Sequence, residues 1–265
     1  MPRVISYLDA LALAGENRTV LVDARSAGEY ALGHLEGAVH LDLYNVFADD
    51  RDAFLHAAGA AAGRAGLDGS ESAVVYESGL GQRAARLAHL LEWIGHRRVH
   101  VLKGGVMAAL EAGALLTAEM PGVEPREFRV EADESETIWA GEIAARLGDP
   151  GIVLLDVREW GEFTGERPRT DSARAGRIPG ATWLEWIHLM DGSRSTRTDD
   201  DVRERLLDLG VTPDKEVVVY CNRGARAAAG WLALKNLGYP RVRNYLGSWH
   251  DWSRRSELPV ETGEE

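Results

Sequence analysis

Cysteine and lysine are nearly absent from this chain: its 265 residues include one cysteine and only three lysines, Lys103, Lys215 and Lys235. A single thiol excludes an intramolecular disulfide, and with it a disulfide-stapled secreted scaffold. One cysteine and scattered histidines supply no metal-ligand spacing, so neither a metal nor another cofactor is expected. No apolar run approaches the ~20 residues a membrane span needs. The N-terminal stretch, with Arg3 and a short amphipathic segment that soon meets Glu16, lacks the continuous apolar core and small-residue cleavage site of a secretory signal. The expected setting is cytoplasmic, with no membrane partner. Acidic residues outnumber basic ones 42 to 30, and a net charge of −12 leaves no basic footprint for nucleic acid. A small anion is still admissible, because salt screens distant charge beyond ~8–10 Å and the local field decides. What is present, 45% hydrophobic and 27% charged residues, suits one large or two ordinary globular domains. No feature sets an oligomeric state.

The lone thiol, Cys221, sits in VVVYCNRGARAAAGWLALKNLGY: a β-rich run, the cysteine, a short loop with Gly224, then a helical pattern. Strand, cysteine, loop and helix N-terminus together make a nucleophile, because loop N–H groups and the positive end of the helix favour a thiolate. Arg223 and Arg226 add cationic charge within a few residues. A purely structural cysteine needs neither the loop nor the arginines.

The chain is also written twice. VLVDARSAGEYALGHLEGAVHLDL at 20–43 answers VLLDVREWGEFTGERPRTDSARAGRIPGATWLEW at 153–186, with Asp23, Arg25, Gly28, Glu29 and Tyr30 matching Asp156, Arg158, Gly161, Glu162 and Phe163. The segment 73–105 answers 216–248 in the same way. Copy two holds about ten extra residues between Phe163 and Gly180; Gly37 and Gly180, Arg83 and Arg226, and Gly104 and Gly247 are each 143 positions apart. Short Val/Leu-rich runs alternate with helical segments in both copies, which predicts two α/β domains, each a parallel sheet flanked by helices on both faces. EMPGVEPREF at 119–128 reads as the linker, giving domains at 1–120 and 129–265.

A repeat separates scaffold from site, since features in both copies build the domain and features in one copy are candidates for chemistry. Asp-x-Arg followed by Glu recurs, so Arg158, paired to Asp156 or to Glu162, is expected to brace the end of a strand rather than form a catalytic pair. Arg226 recurs as Arg83, so it is expected to strut its loop as well as bind. The thiol does not recur: matching Tyr76 to Tyr220 puts Glu77 opposite Cys221, while keeping the 143 spacing puts Ser78 there. Either way domain one has no sulfur nucleophile.

These residues resemble the rhodanese family, in the tandem form whose inactive first domain precedes a catalytic second one. The resemblance rests on LVDAR and LLDVR, GHLEGAVHL and GRIPGATWL, VVVYCNRGARAA, YLGSWHDW and LPVE at 258–261, in order along essentially the whole chain. It implies five-stranded parallel sheets and transfer of a sulfane sulfur through a persulfide on Cys221. The partners it implies are a small anionic donor and a thiol or cyanide acceptor. Asn222, Arg223, Gly224, Ala225 and Arg226 form the candidate binding loop, with Arg223 expected on the donor's oxyanion. Arg169 falls near an insertion arginine of 3-mercaptopyruvate-using relatives, and Arg177 replaces the His many relatives carry before the Pro-Gly pair; both are donor-binding candidates. Where thiosulfate-using relatives place an arginine ahead of the insertion, this chain has Glu162.

Thiosulfate is the expected donor, because two loop arginines suit a compact dianion; 3-mercaptopyruvate is the alternative. A sulfur-carrier or regulatory module would fit a dead loop in both copies. A cysteine phosphatase or arsenate reductase needs one more residue between its Cys and Arg than Asn222 to Ala225 supplies. His250 is expected as a surface or packing residue rather than a base, and Trp249 and Trp252 as core.

Overall fold

The computed structural model describes residues 3–46, 50–78, 81–191 and 196–263. Two compact units result, one running from the N-terminus through Asp133, the other from Glu134 through Asp191 and from Thr196 onward.

In unit one, β1 (Arg3–Ile5), α1 (Tyr7–Glu16), β2 (Thr19–Asp23), α2 (Ala27–Leu32), β3 (His34–Leu35) and β4 (Val39–His40) are followed by α3 (Arg51–Arg64), β5 (Ser72–Tyr76), α4 (Gln82–Trp93), β6 (Val99–Leu102), α5 (Gly105–Glu111) and β7 (Leu116–Thr117). A fully parallel sheet is ordered β1-β6-β5-β2-β4, and β3 pairs with β7 in a separate antiparallel ribbon. The central strand β5 is buried along its whole length, which is why its sequence is continuously apolar rather than alternating. The segment marked as linker contains no helix or strand and hydrogen bonds to unit one: Arg126 N–H donates to Gly63 O at 2.9 Å, and beyond it Glu131 N–H donates to Ile94 O at 3.0 Å.

Unit two contains α6 (Ala140–Ala145), β8 (Ile152–Asp156), α7 (Trp160–Thr164), β9 (Thr182–Trp183), a 3-10 turn (Trp186–Leu189), α8 (Asp200–Asp208), β10 (Glu216–Tyr220), α9 (Ala225–Asn236), β11 (Val242–Asn244) and α10 (Ser248–Trp252). Its sheet is parallel and ordered β11-β10-β8-β9. The edge place that β1 holds in unit one shrinks here to a single parallel bridge, Thr137 to Asn244. The implied five strands are thus four and one rung. Ile138, Leu154, Val218, Tyr220, Tyr245, Trp249 and Trp252 form its core, so both tryptophans are packing residues as expected. Among the described residues no helix is long and apolar enough to cross a membrane.

Strand register resolves the alternative left open at the silent site. Asp23 pairs with Tyr76 and Asp156 with Tyr220, so the two tyrosines are equivalent and Glu77 takes the place of Cys221. The one-residue difference falls in the following loop, whose Gly79 and Leu80 lie outside the described residues.

Candidate active site

Cys221 follows directly on β10, the central strand of unit two, and is almost wholly buried. Gly224 turns the chain into α9 with φ +79°, a conformation open to glycine without cost. That turn aims the Gly224 N–H at the Cys221 Sγ, 3.1 Å away. A charge on sulfur here meets a backbone donor and the positive end of a twelve-residue helix.

Copy one shows what such a loop holds. The Glu77 carboxylate is buried and accepts from the backbone N–H groups of Gly81 and Arg83, the latter at 3.0 Å. Burial raises its pKa above the ordinary carboxylate value, although these N–H bonds pull the other way. An anion on a short side chain thus fills the loop in the unit that lacks a thiol. Removing it should cost stability and not chemistry: Glu77→Ala is expected to lose ~1–3 kcal/mol, because loop N–H groups lose their acceptor. Turnover should stay unchanged in steady-state assays of the folded protein.

A second difference between the copies lies beneath the nucleophile. Gly105, φ +58°, leaves no room for a side chain, since a Cβ would collide with the carbonyl of Glu77. Copy two places Ser248 there at φ +52°, the one non-glycine residue with positive φ among the described residues. Its Oγ accepts from Cys221 N–H at 3.1 Å, donates to Tyr245 O at 2.7 Å and lies 4.0 Å from Sγ. Residues are held in such a conformation only where surrounding contacts over-determine it.

Of the two partners open to Arg158, the structure pairs it with Asp156, while Glu162 is engaged by Arg226. Arg158 bonds both carboxylate oxygens of Asp156 at 2.6–3.0 Å and reaches Gly176 O at 2.8 Å; Arg25, Asp23 and Gly33 repeat the arrangement in unit one. Arg226 is also engaged within the protein, with Nη1 and Nη2 at 2.6 and 2.9 Å from the two oxygens of buried Glu162. Burial disfavours its charge, but the Glu162 bonds and the nearby Cys221 sulfur raise its pKa above the ordinary value. Its counterpart Arg83 pairs instead with Asp42, at 3.1 Å. Arg177 is directed elsewhere: it is buried, its guanidinium bonding Gly263 O at 2.5 Å and Glu261 Oε1 at 3.2 Å, so it ties down the C-terminal segment.

The remaining loop candidates converge on a residue the sequence reading did not single out, Asp171. Its carboxylate accepts from Arg223 Nε at 2.9 Å, from Asn222 Nδ2 at 3.2 and 3.3 Å, and from Arg169 Nε at 3.3 Å. His250 Nδ1 lies 3.9 Å away, and the His250 N–H donates to Asn222 O at 2.9 Å, so this histidine does pack on the loop. Burial, with Arg223 and Arg254 close by, keeps its ring below the ordinary imidazole value. Asp171 is held near 2: burial opposes ionisation, but bonds from Arg223 and Asn222 outweigh it.

The model of the rhodanese-like domain matches residues 6–112 and again 140–255. The chain belongs to the rhodanese family. Among its relatives, a thiosulfate sulfurtransferase from Azotobacter vinelandii is 35% identical, with 98% of this chain and 97% of the relative covered. A probable 3-mercaptopyruvate sulfurtransferase from Pseudomonas aeruginosa is 35% identical over 75% of this chain and 70% of its own length. The crystal structure of an anaerobic ergothioneine biosynthesis enzyme from Chlorobium limicola shares the rhodanese fold, with a TM-score of 0.88 at 24% identity, covering 99% of this chain and 71% of that one.

Proposed function

We propose that this sulfurtransferase takes the outer sulfur of thiosulfate onto Cys221 and passes it from the persulfide to a thiol, for which cyanide substitutes in an assay. The Cys221 thiolate attacks the outer sulfur, the donor's S–S bond breaks, and its electron pair leaves with sulfite, which needs no proton from the protein. A thiophilic acceptor then removes the sulfur from the persulfide, closing a double displacement through a covalent intermediate. Loop N–H groups from Asn222 to Ala227 receive the persulfide's charge, and Arg223 holds the donor's sulfonate oxygens, to which a guanidinium fork is matched.

The observation that carries this reading is the Gly224 N–H on the Cys221 sulfur, set beside the carboxylate that fills the same loop in copy one. Such a loop is shaped for a small anion attached to a side chain at the Cys221 position, which is what a cysteine persulfide is. Thiosulfate is preferred over 3-mercaptopyruvate because the relative matching nearly end to end is named for thiosulfate, and because Arg223 and Arg169 stand together at the loop.

Intact mass after thiosulfate treatment should rise by ~32 Da and return to its starting value on adding cyanide or a thiol. kcat/KM for thiosulfate should exceed that for 3-mercaptopyruvate measured on the same preparation. The reverse order would transfer the reading to 3-mercaptopyruvate, and no mass gain with either donor would leave a carrier that is loaded by another protein.

A further inference from the structure

We infer that Asp171 sets the charge class of the donors this site accepts, by holding a fixed negative charge against the groups that receive the donor's anionic end. The inference rests on the reading that Arg223 binds that end.

Asp171 belongs to the stretch between Phe163 and Gly180 in which copy two exceeds copy one by about ten residues. By the logic of the repeat, it is a residue the scaffold does not require. Its carboxylate is engaged by Arg223, Asn222 and Arg169, two of them in the catalytic loop, while its backbone carbonyl accepts from Arg254 Nη2 at 2.8 Å. The groups best suited to greet an incoming oxyanion are therefore already turned toward an anion that is part of the chain. With three arginines around it, the carboxylate stays ionised throughout the neutral range.

An incoming donor must share Arg223 with this carboxylate or displace it. In either case it works against one negative charge a few ångströms away. Coulomb energy is linear in the charge of the ligand, so a dianion is penalised with twice the free energy of a monoanion. The corresponding fold-effect on a dianion is the square of that on a monoanion. Asp171 thus holds back thiosulfate, a dianion, more than it holds back a monoanionic thiosulfonate, narrowing the preference that the arginines create.

The test compares thiosulfate with benzenethiosulfonate. Both deliver an outer sulfur to the Cys221 thiolate by cleavage of one S–S bond, and the bonding pair departs with sulfite or with benzenesulfinate. Asp171→Asn keeps the shape of the side chain and removes its charge. It should raise kcat/KM about 10-fold for thiosulfate and about 3-fold for benzenethiosulfonate, and both gains should shrink as salt rises. Asp171→Ser, which lacks the charge and most of the side chain, should move the ratio of the two donors in the same direction. Equal factors for the two donors would overturn the inference. So would a fall for both, which would make Asp171 a residue that merely positions Arg223. Arg223→Ala separates the two levels of reading: an unchanged KM for thiosulfate in that variant removes the underlying one, whereas a raised KM there with an unchanged donor ratio in Asp171→Asn removes only this one.

Discussion

Cys221→Ser is expected to lower sulfur-transfer turnover by about 10⁴-fold or more, the scale seen when an enzyme loses its nucleophile outright. A hydroxyl at this position cannot accept a sulfane sulfur and return it, and the chain has no second cysteine to take over. Folding should be nearly untouched. Serine is close to cysteine in size, and the Sγ receives one backbone bond, from Gly224, which an oxygen also accepts. A stability change within ~1 kcal/mol by denaturant titration is therefore expected. Residual turnover within tenfold of wild type in a folded Cys221→Ser protein would remove the nucleophile from the proposal altogether.

The second large effect is expected at the ion pair of Arg226 and Glu162. Both side chains are mostly out of solvent, at 14% and 6% exposure. Arg226→Ala strands a buried carboxylate and should cost ~3–5 kcal/mol. Replacing both members, Glu162→Gln with Arg226→Met, should recover much of that stability, because no unpaired charge is left inside. It should not recover the rate, because the charge of Arg226 also reaches the Cys221 sulfur. Acid titration gives a further check on sign. Burial raises the pKa of Glu162, but the bonds and charge of Arg226 outweigh it and leave the folded value lowered. The pair's contribution is then present above the unfolded carboxylate value and lost as pH falls through the folded one. The double variant should accordingly lose less stability on acidification than the wild type. Equal rates in the double variant and the wild type would show that Arg226 is a strut alone.

Much of this architecture was legible in one dimension because it is local. Strand, Cys221, loop and helix follow one another within a few residues, and the Asp-x-Arg brace closes over two positions, so its side chains meet whatever the rest of the chain does. The duplication made the fold legible as well, since two independent copies of one strand and helix order leave little else to build. Asp171 was not legible, because an isolated aspartate in an irregular insertion carries no periodicity and meets Arg223 across 52 residues of sequence. Ser248 was hidden for another reason: its distinction is a backbone angle, and a small polar residue gives no sign of φ. Glu162 and Arg226 were each noticed, but their pairing depends on how α7 and α9 approach one another in space. The choice between Glu77 and Ser78 needed the register of β2 against β5, which sequence spacing could not supply because the loop lengths differ by one.

The carboxylate lodged in the loop of unit one gives the two halves of this chain different relations to sulfur supply. A guest covalently attached to its host is present at an effective concentration no dissolved donor matches, and it cannot be washed away. The Glu77 position of unit one is thus permanently in the occupied condition, whether sulfur is plentiful or absent. Unit two is occupied only while Cys221 carries its cargo. Whatever a loaded loop gains in rigidity comes and goes there with each turnover, so heating the protein with and without thiosulfate should move one unfolding transition and leave its twin where it was.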